Sequence, residues 1–161
     1  MQYDTHIQWA LSLHFPTLDW RIYKALLWQE SRFNAQAVSP VGAQGIAQFM
    51  PATWAEWAPK AGMSGKRPYD AEASITTGAC YLAHLYGSWH SPRPDIDRIC
   101  LMLASYNAGL GNLLKAQKKM GGKLLYKEII QGLPEVTGKH SKETIDYVQK
   151  ILSYYLHSVI G

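Results

Sequence analysis

The chain is poor in cysteine and has no long apolar run. It also lacks the short motifs that hold metals or phosphates. Its two cysteines, Cys80 and Cys100, form no CxxC pair and sit in apolar stretches, which points to buried thiols rather than a disulfide framework. No segment reaches the roughly 18 uninterrupted apolar residues of a membrane span. There is no HExxH and no Cys/His cluster, and the six histidines are scattered, so no metal site is expected. No P-loop or GxSxG elbow occurs, and Gly42 and Gly45 follow no strand, so no cofactor is expected either. Alternating strand patterns, internal repeats and low-complexity segments are absent. Met1 to Asp19 lacks the basic start and apolar run of a signal peptide, which gives the expectation of a protein made in the cytoplasm without an export signal.

What the chain does have is apolar and aromatic substance. It holds 161 residues, 47% hydrophobic and only 17% charged, with six Trp and ten Tyr. That is enough for one compact domain over residues 1–161, with aromatics left over for a cleft that stacks on flat ligands such as sugar rings. The net charge is +4, and lysines gather late in the chain at Lys115, Lys118, Lys119, Lys123, Lys127, Lys139, Lys142 and Lys150. A solvated helical face is one reading; an anionic partner, such as bacterial wall or a membrane surface, is the other. Nucleic acid is not expected, because no aromatics interleave with the lysines as a stacking platform.

The periodicity is helical nearly throughout. Leu18-Asp19 reads as staple and cap of a helix running to about Ser31, which puts Glu30 near a C-terminal end, where the helix dipole disfavours a carboxylate. Ser39 to Gly45 reads as a loop, followed by a short helix from Ile46 and another after Pro51. Ala58 to Pro68 reads as an exposed loop. Helices are expected over Ala71 to Trp89, Ile99 to Tyr106 (capped by Asp95 or Asp97), Gly111 to Met120, Leu124 to Ile130 and Thr144 to Val159. The last carries a stripe of Val148, Ile151, Leu152 and Leu156. The fold class is all-α, with roughly seven to nine helices.

Several segments stand out in order. Glu30-Ser31-Arg32-Phe33-Asn34 is followed by Ser39-Pro40-Val41-Gly42-Ala43-Gln44-Gly45-Ile46-Ala47-Gln48-Phe49-Met50-Pro51. Later come Ala104-Ser105-Tyr106-Asn107-Ala108-Gly109-Leu110-Gly111 and Thr144-Ile145-Asp146-Tyr147-Val148. Together, over roughly residues 20 to 155, they resemble the soluble lytic transglycosylase domain, a relative of goose-type lysozyme. That family usually shows Glu-Ser, Gly-Leu-Met-Gln, Ala-Tyr-Asn-Ala-Gly and a late Tyr-Val. Here Ala47 replaces the Met, and Ser105 precedes Tyr106 where Ala is commoner.

The resemblance implies a lysozyme-like single domain that cleaves the β-1,4 bond between N-acetylmuramic acid and N-acetylglucosamine in peptidoglycan, leaving a 1,6-anhydro sugar. Breaking a glycosidic bond requires a proton on the leaving oxygen while positive charge builds at the anomeric carbon. Glu30 can serve as that acid if apolar neighbours such as Trp28, Phe49 and Met50 desolvate it. Asp70 and Glu72, the nearest candidates for a second acid, read as the cap of the following helix.

By the resemblance, Ser39 and Gln48 hydrogen-bond the sugar, and Met50 forms an apolar wall. Tyr106 and Asn107 line the same cleft, and the Tyr147 hydroxyl addresses the catalytic Glu30. Plainer roles stay open at this stage. Ser39 starts a turn, Tyr106 and Tyr147 fill a core, and Asn107 stops a helix. A hydrolase on the same fold and a non-catalytic wall-binding or virion structural module also remain open. The expected setting is a monomeric phage endolysin that reaches the periplasmic peptidoglycan through a holin-type pore. Its partners are the glycan strands and, through the lysine-rich face, an anionic wall or membrane surface.

Overall fold

The computed structural model describes residues 1–160, and among them the chain is all-α. The helices are α1 (Asp4–His14), α2 (Trp20–Ser31), α3 (Pro51–Lys60), α4 (Ala71–Ser88), α5 (Asp95–Ala108), α6 (Leu110–Lys119), α7 (Tyr126–Ile129), α8 (Pro134–Thr137) and α9 (His140–Ile160). One turn of 3-10 helix, Ile130–Gly132, joins α7 to α8. No strand forms among the described residues, and no helix is long and apolar enough to cross a membrane.

The chain divides into two compact units, with boundaries inside α4 and inside α9. The first comprises residues 1–83 and the chain end from Tyr154, and the second His84 to Ser153. Ile7, Leu11, Ile22, Tyr23, Leu26, Leu27, Ile46, Phe49, Ile75, Ala79 and Leu82 form the buried interior of the first. That of the second is built from Leu85, Trp89, Leu101, Met102, Leu103, Leu113, Leu133, Val148 and Ile151. Its polar anchor is the Trp89 indole, which donates 3.0 Å to the Ser105 hydroxyl.

α2 follows its sequence signals closely. Asp19 caps it, accepting from the Arg21 amide at 3.0 Å, and pairs with the Arg21 guanidinium at 2.6 Å. The Tyr155 hydroxyl donates to the same carboxylate at 3.1 Å. Tyr23, with no exposed surface, donates its hydroxyl to the Ile75 carbonyl of α4 at 2.6 Å. Gly78 makes room for that phenol: a Cβ there would stand 2.2 Å from the Tyr23 oxygen.

Several expectations need correction. No helix starts at Ile46. Residues 45–48 form a tight turn closed by reciprocal hydrogen bonds between Gln44 and Phe49, at 2.9 and 3.0 Å, with Gln48 left-handed at φ 53°. Ala58 to Pro68 is not an exposed loop throughout. α3 runs through Pro59 to Lys60, and Ala58, Ala61 and Pro68 are buried. Neither Asp95 nor Asp97 caps α5, which begins at Asp95 behind Pro94. The Asp97 carboxylate accepts instead from the Tyr126 amide at 2.8 Å. α9 starts earlier, at His140, and Leu156 at its end is 54% exposed, so the stripe ends near Leu152. Asp70 behaves as read, accepting from the Ala73 amide at 3.0 Å at the head of α4. Both cysteines are free thiols. Burial, and secondarily the charge of Asp97, raises the Cys100 thiol to about 11.

Two expectations about stability follow. Gly78→Ala should destabilise by about 1–3 kcal/mol through overpacking. Repeating it in a Tyr23→Phe background should cost clearly less, as read from urea midpoints; equal costs would show that the phenol is not the obstacle. The Asp19 carboxyl is held below its usual range, chiefly by the hydrogen bond from the Arg21 side chain and against an opposing effect of burial. A depressed folded value contributes stability that is present above the unfolded pKa of about 3.9 and lost as pH falls through the folded value. Asp19→Asn should therefore be less stable than wild type above that range and converge on it in acid. A gap independent of pH would contradict this.

Candidate active site

Glu30 is the penultimate residue of α2 and is half-buried. Residues three and four apart share a helix face, and Leu26 and Leu27 are both fully buried. The carboxylate therefore leaves the helix at the edge of its core-facing side, not on its open side. One residue further, the Ser31 hydroxyl donates to the Ile46 carbonyl at 2.8 Å. This bond ties the end of the Glu30 helix to the loop that carries Gln48.

The helix stops abruptly. Arg32 and Phe33 are both left-handed, at φ 52° and 63°. Such conformations cost non-glycine residues about 1–2 kcal/mol each. The Arg32 amide still bonds to the Trp28 carbonyl at 2.9 Å. The Trp28 ring stands 5.5 Å from that of Phe33, and the Arg32 guanidinium lies 5.7 Å from the centroid of the same indole. Trp28 thus holds the strained corner together.

The loop that follows is fixed by its own polar groups. The Ser39 hydroxyl accepts from the Ala43 amide at 3.0 Å, which leaves its hydrogen to donate outward. Gln48 donates its side-chain NH2 to the Gly45 and Ala37 carbonyls at 2.9 and 3.2 Å, which leaves its side-chain oxygen to accept. Gly45 is required twice over. It has φ 81°, and a Cβ would fall 1.9 Å from the Pro68 carbonyl oxygen. Ala47, the departure from the family pattern, is fully buried, so the change alters interior packing. Met50 is 42% exposed at the cap of α3, whereas Phe49 is a core residue packed edge-on to Trp54 and Tyr81.

The remaining candidates lie in the second unit. Tyr106 and Asn107 are half-buried in the last turn of α5, and Tyr147 is buried in α9. The Asn107 side-chain oxygen accepts from the Thr144 hydroxyl at 2.7 Å. Thr144 and Tyr147, three residues apart, share a face of α9. Asn107 is therefore more than a helix stop, since its amide is oriented by a neighbouring helix. Ser31 and Thr144, whose hydroxyls tie the loop and orient Asn107, lie inside the motifs without being candidates themselves. The signal was their place beside Glu30 and one turn before Tyr147. Among the described residues no group of three or more His, Cys, Asp or Glu is placed to hold a metal.

Residues 12–129 match the family model described as the transglycosylase SLT domain. The chain is 31% identical over 163 residues to a membrane-bound lytic murein transglycosylase F of Yersinia enterocolitica, covering 92% of this chain and 32% of that protein. A protein of the same description in Photobacterium profundum is 32% identical over 158 residues, covering 89% and 29%. The chain thus spans about a third of the length of the curated relatives it matches.

Among solved structures, the 70 kDa soluble lytic transglycosylase of Escherichia coli superposes with a TM-score of 0.77 at 25% identity, covering 99% of this chain and 24% of that one. It has also been solved in complex with bulgecin A. An inactive glutamate-to-glutamine mutant of the lytic transglycosylase Slt from Pseudomonas aeruginosa superposes with a TM-score of 0.73 at 28% identity, covering 94% and 23%. The helical fold is that of these lytic transglycosylases.

Ser31→Ala should leave the buried Ile46 carbonyl unpaired and destabilise by about 1–3 kcal/mol. Hydrogen exchange should then quicken at the Gln48 and Phe49 amides, which close the turn, and stay unchanged in the middle of α4. Unaltered exchange at those amides would mean that the tie does not hold the loop.

Proposed function

The chain belongs to the transglycosylase SLT domain family, and from that premise we propose that it is a peptidoglycan lytic transglycosylase with Glu30 as its single catalytic acid and base. The protonated carboxyl gives its proton to the oxygen between N-acetylmuramic acid and N-acetylglucosamine, and the bond from that oxygen to the anomeric carbon breaks. The acetamido group of the muramic sugar shelters the positive charge. The Glu30 carboxylate then takes the proton of the same sugar's C6 hydroxyl as that oxygen bonds to the anomeric carbon. A 1,6-anhydro end leaves, Glu30 is again protonated, and no water is consumed.

The observation that carries this reading is the tie from Ser31 to Ile46. It couples the one half-buried carboxyl on the core edge of α2 to a rigid loop offering a donor at Ser39 and an acceptor at Gln48. The helix end beneath that carboxyl disfavours its ionised form. The inactive mutant of the Pseudomonas protein, which replaces a glutamate with glutamine, supports a single essential carboxylate. Ser39 and Gln48 are assigned to the acetamido and hydroxyl groups beside the cleaved bond, and Met50 to a sugar face. Asn107, Tyr106 and Tyr147 are assigned, by their match to the family pattern, to further contacts with the substrate.

The biological setting proposed is lysis of a bacterium by a phage. The protein acts as a monomer on periplasmic peptidoglycan that it reaches through a holin-type pore, and its lysine-rich face rests on the anionic wall or membrane surface.

The deciding experiment is mass spectrometry of soluble products from purified peptidoglycan, with wild type beside Glu30→Gln. Anhydromuropeptides are expected from wild type, with at least a ~100-fold lower rate from the variant. Reducing-end products would make the protein a hydrolase. Absence of products from folded wild type would reduce it to a binding module.

A further inference from the structure

The positive charge of the chain is concentrated in one stretch. Residues 112–142 hold seven lysines against Glu128 and Glu135, while the whole chain carries only +4, so the remainder has no positive excess. Part of this stretch lines an open surface cavity of about 570 Å³, bordered by Asn112, Lys115, Lys118, Lys119, Glu135 and Val136. That lies within the ~300–1,000 Å³ range of small-ligand sites.

Lys115, Lys118 and Lys119 share a face of α6 by their spacing, while Leu113 and Ala116 turn fully inward. Lys119 meets the Glu135 carboxylate of α8 at 3.5 Å. Lys115 and Lys118 have no ion-pair partner among the described residues. Asn112 is oriented by donating to the Ala108 carbonyl at 2.7 Å, and its side-chain oxygen remains able to accept.

The lining therefore offers both signs of charge. Two unpaired ammonium groups face a carboxylate held only by an exposed, exchangeable pair. A uniform polyanion would leave the Glu135 carboxylate facing like charge, and no aromatic lines the cavity to stack a base. A zwitterion with carboxylates at one end and an ammonium at the other satisfies every group. We infer that this cavity is a second, non-catalytic site for the stem peptides of peptidoglycan. Their carboxylates are received by Lys115 and Lys118, and the side-chain ammonium of the diamino acid by Glu135 and the Asn112 oxygen. The inference rests on the peptidoglycan reading above and names a part of that polymer which the Glu30 chemistry does not use.

The test titrates the tetrapeptide L-alanyl-γ-D-glutamyl-meso-diaminopimelyl-D-alanine into the full chain, followed by calorimetry. Wild type, Lys115→Glu with Lys118→Glu, the milder pair Lys115→Gln with Lys118→Gln, and Glu135→Gln are compared. Both lysine pairs should lose at least tenfold in affinity, and Glu135→Gln should also weaken binding. On peptide-bearing strands the lysine pairs should raise KM several-fold, with no change on strands stripped of peptide by an amidase. The inference is overturned if wild type does not bind the peptide, if Glu135→Gln tightens it, or if both strand types suffer equally. It is overturned in favour of a lipid surface if the lysine pairs lose only binding to phosphatidylglycerol vesicles. Should wild type cleave neither strand, the Glu30 reading fails, and the peptide titration alone still decides the cavity.

Discussion

The hydroxyl of Tyr23, buried against the Ile75 carbonyl, fixes the helix on which the proposed chemistry depends. The phenol leaves α2 from its first turn and lies in the space that Gly78 leaves open on α4. A helix turns about 100° per residue, so a rotational slip by one residue would carry Leu26 and Leu27 out of the core and turn Glu30 with them. It would also strip the phenol of its acceptor at a position without water, which makes the slip costly. One buried hydrogen bond thereby fixes the rotation of the whole helix. At one end stands the Asp19 cap with Arg21 and Tyr155, and at the other Glu30 and the Ser31 tie.

Beyond α2 the backbone departs from low-energy conformations, and it does so near the candidate residues. Arg32, Phe33 and Gln48 are the non-glycine residues with positive φ among those described. Two stand two and three residues after Glu30, and the third bears a candidate side chain. Strain of this kind persists where the surroundings over-determine it. Here the surroundings can be named: the Trp28 indole against Phe33 and Arg32, the Ser31 hydroxyl on Ile46, and the Gln48 amide on two backbone carbonyls. The Gln48 side chain is spent in part on holding its own backbone, and this points its oxygen in a single direction.

The sequence made α2, α4, α6 and the glycine breaks legible because each has a local cause. Asp19 caps, Gly121 and Gly122 stop, and Ile75, Ala79, Leu82 and Leu85 repeat at helical spacing. It misled at Ile46, where an apolar pair after a glycine looks like a helix start. The chain there is held instead by the Gln44–Phe49 pairing across the turn and by the approach of Pro68, which is remote in sequence. It misled again at Asp95 and Asp97, whose carboxylates serve Tyr86 and the Tyr126 amide rather than their own helix. Of the candidate site, Glu30, Ser39, Gln48 and Asn107 were named from motifs. The residues that orient them were not, because a tether such as Ser31 to Ile46 or Thr144 to Asn107 is a tertiary contact with no periodic signature.

A catalyst acting on an insoluble net faces a constraint that one carboxylate cannot meet. Each cleavage frees a strand end, and an enzyme held only at the cleaved bond is then released into solvent. A weak second contact on the same polymer keeps the local concentration of glycan high without adding to the chemistry. It has to be weak, since a tight anchor would stop the protein from moving to the next bond. The α6–α8 cavity has the properties such a contact needs. Its charges are exposed and its internal pair is exchangeable, and its lining is polar rather than a deep apolar socket. Its two signs of charge match a peptide better than a lipid or a nucleic acid. On this reading the lysines of α6 keep the enzyme on the wall while Glu30 cuts it.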